Sequence, residues 1–467
     1  MHSLRGLASA HAQPRIGYPP VTLQSGQSLK FARYFRSRNA DAYGESLYAV
    51  RRRLATGTGA VLLGLVAIAF AWLGDQAQHL FLAIEKRSPY APLVLTPVLF
   101  AGVVFVTNRW CSEARGSGIP QVIAATKDPA AMSQGPLLSL RAAFLKLGMT
   151  LVMLLGGGSV GREGPTVQVS AAIMLMLHRL LKVPITAGVI IAGGAAGVAA
   201  AFNTPLAGVA FAIEELAAAF EQRVAVLVMG AVVIAGLVTL GISGDYVYFG
   251  AMRQKLDVGA VVIIAPLAGV VGGISGGLFA RLLLASAFPA RLWLRRLRRR
   301  PVLLAFACGL VVAITGYLTG GATWGTGYET TKVLIEGGDA PHWFGPAKFI
   351  ATLATAFSGA PGGIFAPSLS VGAGLGQLIS FIFPGEPVGA VVLLGMIGYF
   401  TGVVRAPLTA VIILIETTAS RGMILPLFAT AIIADMVSAL ICREKLYVGL
   451  ARAFLPREPQ DSEPRSS

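Results

Sequence analysis

The chain has 467 residues, 55% of them hydrophobic and only 13% charged, with a mean hydropathy of +0.70. That balance excludes a water-soluble protein of this length and calls for a bilayer as solvent. The net charge of +16 would suit a nucleic-acid partner, but the cations fall in short hydrophilic stretches beside apolar ones, which is a membrane-topology pattern, so no nucleic acid is expected.

In chain order, residues 1–56 lack a signal-peptide core and read as a basic, partly helical cytoplasmic arm. Apolar stretches long enough to span follow at 59–74, 92–107, 142–160, 185–213, 225–242, 258–285, 302–319, 387–404 and 423–441. The runs 164–183, 199–215, 364–383 and 407–416 are interrupted by Gly and Pro, and hydrocarbon tolerates such breaks only where protein or a cavity surrounds them. No β-barrel alternation is present, so the predicted fold is an all-α polytopic membrane protein of tilted and broken helices. Arg51, Arg52 and Arg53, then Arg291, Arg295, Arg296, Arg298, Arg299 and Arg300, then Arg443, Lys445, Arg452 and Arg457, mark cytoplasmic stretches by the positive-inside rule.

Two halves share one plan. An offset of 202 residues carries Gly161-Arg-Glu-Gly-Pro165 onto Gly363-Ile-Phe-Ala-Pro367, Pro205-Leu206 onto Pro407-Leu408, and Ile213-Glu214 onto Ile415-Glu416. The predicted division is a first transmembrane repeat at 57–242, an extracytoplasmic linker at 243–257, a second repeat at 258–450 with a cytoplasmic basic loop at 286–301, and a polar cytoplasmic tail at 451–467, too short for a regulatory domain. The linker is the less basic joint and one crossing separates it from the basic loop, so the repeats are expected to lie in opposite orientation. Their broken helices would converge at the midplane.

Four segments are candidates for that meeting point: Gly116-Ser-Gly-Ile-Pro120, Gly161 to Pro165, Gly363 to Pro367, and Gly325-Thr-Gly-Tyr328. Each is a small-residue turn opening a helix, offering free N–H groups and the positive end of a helix dipole to an anion. Ser117 adds a hydroxyl donor without full charge, which lets a bound anion leave. Glu163 opens one of these helices, where a carboxylate can take the anion's place and swing away when protonated. Cys111, Cys308 and Cys442 are widely spaced and form no CxxC or His cluster, so neither disulfide, metal nor cofactor is expected. His2, His11, His79, His178 and His342 are predicted at interfaces or surfaces. No Ser-His or metal constellation supports an enzyme, and a scaffold protein does not require converging glycine-rich helix starts.

The segments GSGIP at 116–120, GREGP at 161–165, GGIFAP at 362–367, FNTPLAGVAFAIEE at 202–215 and RAPLT at 405–409 resemble the signature of the CLC chloride channel and transporter family, over nearly the whole chain beyond residue 50. The resemblance implies the CLC fold, two inverted repeats, and a homodimer without CBS domains in which each subunit has its own pathway. It implies that Ser117, and Ile364 and Phe365 through their backbone N–H groups, hold the central anion, and that the Tyr447 hydroxyl closes its inner side. Gly118, Arg162 and Gly164, from the same motifs, complete the candidate anion-binding set. Glu163 resembles the external gating glutamate. Glu215, with Glu214 beside it, resembles the internal proton-transfer site of family members that exchange chloride for protons; channels have a nonacidic residue there. Glu416 is followed by Thr417, so only one half carries the acidic pair. Lys146 corresponds to a buried family lysine, and Gln121 departs from the glutamate common at its position. The implied function is proton-coupled chloride exchange in a bacterial inner membrane, with both termini cytoplasmic and chloride, protons and the lipid bilayer as partners; the alternative is a passive voltage- or pH-gated chloride channel of the same fold.

Overall fold

The computed structural model describes residues 25–129, 135–217, 222–244 and 247–455, the side chains of 25–47, 222–223 and 293–294 excepted. The chain divides into two compact units, residues 1–50 and 51–467. Residues 1–24 of the expected N-terminal arm and the tail beyond residue 455 lie outside the described residues.

Helices follow one another as α1 (Ser25–Arg87), α2 (Ala91–Trp110), α3 (Ile119–Lys127), α4 (Leu140–Leu155), α5 (Glu163–Leu180), α6 (Ala187–Phe202), α7 (Pro205–Phe211), α8 (Gln222–Ser243), α9 (Val258–Ala287), α10 (Leu292–Arg298), α11 (Pro301–Leu318), α12 (Tyr328–Ile335), α13 (Phe344–Ser358), α14 (Phe365–Ser380), α15 (Val388–Val404), α16 (Pro407–Thr418), α17 (Ile424–Ile441) and α18 (Leu446–Ala451). No strand occurs among the described residues. Their starts are locally encoded. Proline sits in the first turn of α2, α3, α7, α11 and α16, where its missing N–H costs nothing. Ser139 caps α4 by accepting from Ala142 N at 3.2 Å, and Asp257 caps α9 by accepting from Gly259 N at 3.1 Å.

Among the described residues, six helices are long and apolar enough to cross a bilayer: Tyr48–Arg87, Ala91–Trp110, Val224–Ser243, Val258–Ala287, Pro301–Leu318 and Arg421–Ile441. This corrects the sequence expectation for the apolar stretches at 142–160, 185–213 and 387–404. The first is a 16-residue helix, α4. The second breaks into α6 and α7 where Asn203 turns left-handed (φ 56°) and Pro205 starts afresh. The third stops at Arg405, also left-handed (φ 61°), two residues before Pro407. A 16-residue helix reaches about 24 Å at 1.5 Å per residue, short of the ~30 Å hydrocarbon core. Protein surrounds α6 and α15: Gly188 through Phe202 and Gly389 through Val404 are buried throughout. Asn203 and Arg405 are themselves 202 residues apart, so both halves break at the same point.

Of these three short helices, α6 and α15 are the buried ones; α4, with Phe144 exposed, is not enclosed in the same way. Glycine brings some helices to backbone contact. On α9, a Cβ at Gly276 would lie 2.5 Å from the Gly402 carbonyl carbon and 2.6 Å from Val403 N on α15. The interhalf linker is anchored by Phe249 N and Met252 N, which donate to Thr417 O and Thr418 O, each at 2.8 Å. One histidine departs from expectation. His178 is fully buried, because its ring Nδ1 meets the Met174 carbonyl one helical turn back at 2.8 Å and so remains paired away from water.

Gly276→Leu is expected to lower the thermal unfolding temperature in detergent by forcing α9 off α15, a cost of about 1–3 kcal/mol for overpacking. Gly230→Leu, at a glycine with open space around it, should leave the melting curve unchanged.

Candidate functional site

Three glycine-rich turns meet at one point. Gly161 N donates to Gly363 O and Gly363 N to Gly161 O, each at 2.7 Å, forming an isolated antiparallel bridge between the two repeats. Gly362 N donates to Gly116 O at 3.2 Å, which ties in the turn carrying Ser117. Nothing larger fits. A Cβ on Gly363 would stand 2.9 Å from Gly161 O, and one on Gly164 would stand 2.5 Å from Ser117 Oγ. Gly118 holds φ at 108°, a left-handed conformation that lets the chain turn directly into α3.

The donors at this point are uncharged. Helix α14 opens at Phe365 after Ile364, and its first closing bond runs from Ser368 N to Ile364 O, so the N–H groups of Ile364 and Phe365 are not used by the helix. Ser117 Oγ and Tyr447 OH are both buried without a hydrogen-bond partner among the described residues. Ser117, Ile364, Gly363 and Tyr447 line one cavity of about 550 Å³. The Phe365 ring closes the site with aromatic contacts to Phe400 (5.0 Å between centroids), Tyr447 (5.9 Å) and Phe211 (6.2 Å). Orphaned hydroxyl and amide donors in apolar surroundings suit a small, weakly hydrated anion.

Glu163 adjoins this cluster. Its side chain is fully buried, Oε2 accepts from Ala366 N at 3.5 Å, and Oε1 has no partner among the described residues. The carboxylate of α5 thus stands at the positive end of α14, in the other repeat. Gly161 makes room for it, since a Cβ there would collide with Glu163 Oε2.

The turn before Ser117 is pinned by buried side chains. Lys146 Nζ donates to Gly116 O at 2.7 Å and Arg115 O at 3.1 Å. Gln121 Nε2 donates to Arg115 O at 2.7 Å and Glu113 O at 3.1 Å, so the departure from the common glutamate supplies a donor to two carbonyls. The second repeat repeats the device. Lys348, which sequence reasoning missed, is fully buried and donates to Gly325 O at 2.7 Å and Thr323 O at 2.9 Å. Its signal was the offset of 202 from Lys146.

Two expectations are corrected by the geometry. The Gly325 to Tyr328 turn does not join the Ser117 cluster: Thr326 and Tyr328 line a second cavity of about 630 Å³. Arg162 points into that same cavity, its Nη1 donating to Asp75 Oδ1 and Ala71 O at 2.8 Å each, because α1 offers it a carboxylate there.

The acidic pair has divided duties. Glu214 accepts from Leu408 N (3.2 Å) and Thr409 N (2.7 Å), capping α16, while Glu416 accepts from Leu206 N (3.2 Å) and Ala207 N (2.8 Å), capping α7. Each repeat caps the other, so the Glu214 carboxylate is occupied by a structural task. Glu215 belongs to a five-residue π-turn, Ala212–Leu216, which ends the α7 segment. Its side chain is 1% exposed, and Oε1 lies 3.7 Å from Lys445 Nζ, an ion pair too long for a hydrogen bond.

The chain matches the family profile described as voltage gated chloride channel over residues 98–439. It belongs to the CLC family. An H(+)/Cl(-) exchange transporter ClcA of Yersinia pestis bv. Antiqua (strain Angola) is 31% identical over 434 residues, covering 86% of this chain and 87% of that protein; one from Yersinia pseudotuberculosis serotype O:3 (strain YPIII) matches equally. A solved slow cyanobacterial Cl-/H+ antiporter superposes with a TM-score of 0.74 at 23% identity, covering 86% of this chain and 98% of that one. A CLC-type fluoride/proton antiporter gives 0.70 at 22%, covering 86% and 98%. These likenesses establish the CLC fold, and with the apolar helices they make this an integral membrane protein.

In this CLC chain, Glu214→Ala and Glu416→Ala are each expected to lower the unfolding temperature in detergent by removing a cap, about 1 kcal/mol apiece. Glu215→Ala, which removes no hydrogen bond among the described residues, should leave the temperature within error of the parent.

Proposed function

We propose that the protein exchanges chloride for protons across the membrane. The observation that carries this reading is the pairing of two buried carboxylates with one cluster of uncharged donors: Glu163 at the start of α14, and Glu215 beside Lys445, two residues before Tyr447. A chloride pathway alone has no need of the second. The names of the Yersinia relatives support the same reading.

Ionised, Glu163 competes for the dipole end that would otherwise hold an anion; protonated, it loses that attraction and leaves. Chloride then takes the donors of Ser117, Ile364, Phe365 and Tyr447. Gly118 and Gly164 serve by their small size, and Arg162 serves at the rim of the second cavity. The proton passes inward to Glu215, which we assign as the internal transfer group without Glu214. The repeats are inverted about the Gly161–Gly363 bridge, and the basic loop and both termini face the cytoplasm of a bacterial inner membrane. Two copies assemble as a dimer, with one pathway per subunit.

Purified protein in liposomes under a chloride gradient should pump protons against their own gradient. Glu163→Ala and Glu215→Ala should each bring proton movement down to the leak of empty liposomes while chloride flux continues, and Glu163→Gln should make that flux insensitive to external pH. Chloride flux without proton movement in the parent would instead establish the passive channel.

A further inference from the structure

The wall of the Ser117 cavity carries two guanidinium groups that the exchange scheme does not use. Arg298 ends α10, in the basic loop. Arg291, Arg295, Arg296, Arg299 and Arg300 in that loop are exposed, whereas Arg298 is half-buried and turns into the cavity. Its Nη2 donates to Ser286 Oγ at 3.0 Å, and its Nε is buried with no acceptor among the described residues. Arg115, directly before the Gly116-Ser117 turn, lines the same cavity. Neither guanidinium forms an ion pair among the described residues, although Glu113 shares the lining. Burial, and then the positive charge of Arg115, push Arg298 below the ordinary arginine value. Both remain charged at any physiological pH.

We propose that Arg298 and Arg115 form a loading site for a monovalent inorganic anion at the basic-loop end of this cavity, ahead of the uncharged Ser117 site. The inference rests on the chloride pathway argued above. Donors without formal charge release an anion readily but attract it poorly from solution. Two like charges on a largely apolar wall focus the field and raise the local anion concentration. The exposed side of Arg115 and the solvent at the mouth keep the attraction weak enough for onward movement. Capture and discrimination are thereby separated: guanidinium groups gather anions at the mouth, and the constricted donors of Ser117, Ile364 and Tyr447 choose among them.

The test is exchange of radiolabelled chloride by reconstituted protein, with equal chloride on both faces at low ionic strength. Arg298→Gln and, independently, Arg115→Gln should each raise the half-saturating chloride concentration about three- to tenfold, with a much smaller change at saturation. Arg298→Lys should retain most of the parent affinity, and an impermeant salt should narrow the difference by screening. Ser286→Ala removes the hydrogen bond but neither charge, so it should leave half-saturation unmoved. The proposal fails if both glutamine variants stay within twofold of the parent, or if Ser286→Ala shifts the curve as far as Arg298→Gln, which would make Arg298 a clamp on α9. Absence of chloride exchange in the parent would overturn the functional reading itself; exchange in the parent with unaltered variants would overturn this proposal alone.

Discussion

Everything at the centre of this protein depends on two backbone hydrogen bonds between Gly161 and Gly363. They join the first turns of two broken helices from different repeats, and they do so at a separation that only glycine permits. With α5 and α14 held start to start, the N–H groups of Ile364 and Phe365 point into one small volume and the Glu163 carboxylate is delivered across the repeat boundary to α14. A side chain at either glycine would push the helices apart and separate the Glu163 carboxylate from the start of α14.

The same crosswise logic holds the periphery of the site. Glu214 caps α16 and Glu416 caps α7, so each half ends the other's exposed helix start with a carboxylate. Lys146 and Lys348 each donate to the first carbonyl of a G-x-G turn and to one just before it, one turn facing the first cavity and the other the second. Burying a lysine is unfavourable unless its ammonium is hydrogen-bonded, and two carbonyls apiece offset part of that penalty. These reciprocal arrangements make the halves mutually dependent. The starts of α7 and α16 are each completed by a carboxylate of the other repeat.

The donors proposed to hold the anion carry no full charge, and the cations stand apart from them. Ser117, Ile364, Phe365 and Tyr447 present only partial charges, while Lys146 lies behind the turn and Arg115 and Arg298 stand elsewhere on the cavity wall. A full cation in the narrow site would trap an anion; removed from it, the same charge raises occupancy without slowing release. In the proposed exchange Glu163 supplies a competing negative charge beside these donors, and its protonation would link anion occupancy to protons.

How much of this was legible beforehand follows from how far each interaction reaches along the chain. Membrane residence, the all-α class, the 202-residue repeat and the glycine and proline breaks are properties of neighbouring residues, carried by hydropathy and by backbone limits on Gly and Pro, so the sequence by itself determined them. The tertiary structure alone decided where side chains point. Arg162 turns to Asp75, 87 residues away, and Glu214 to Thr409, 195 residues away. His178 is buried, and the Gly325 to Tyr328 turn opens on the second cavity although its composition matches the turns at the first. A helix start that attracts anions looks the same in sequence wherever it lies; which cavity it faces depends on the packing of helices distant in the chain, and that packing is decided only when the whole fold closes.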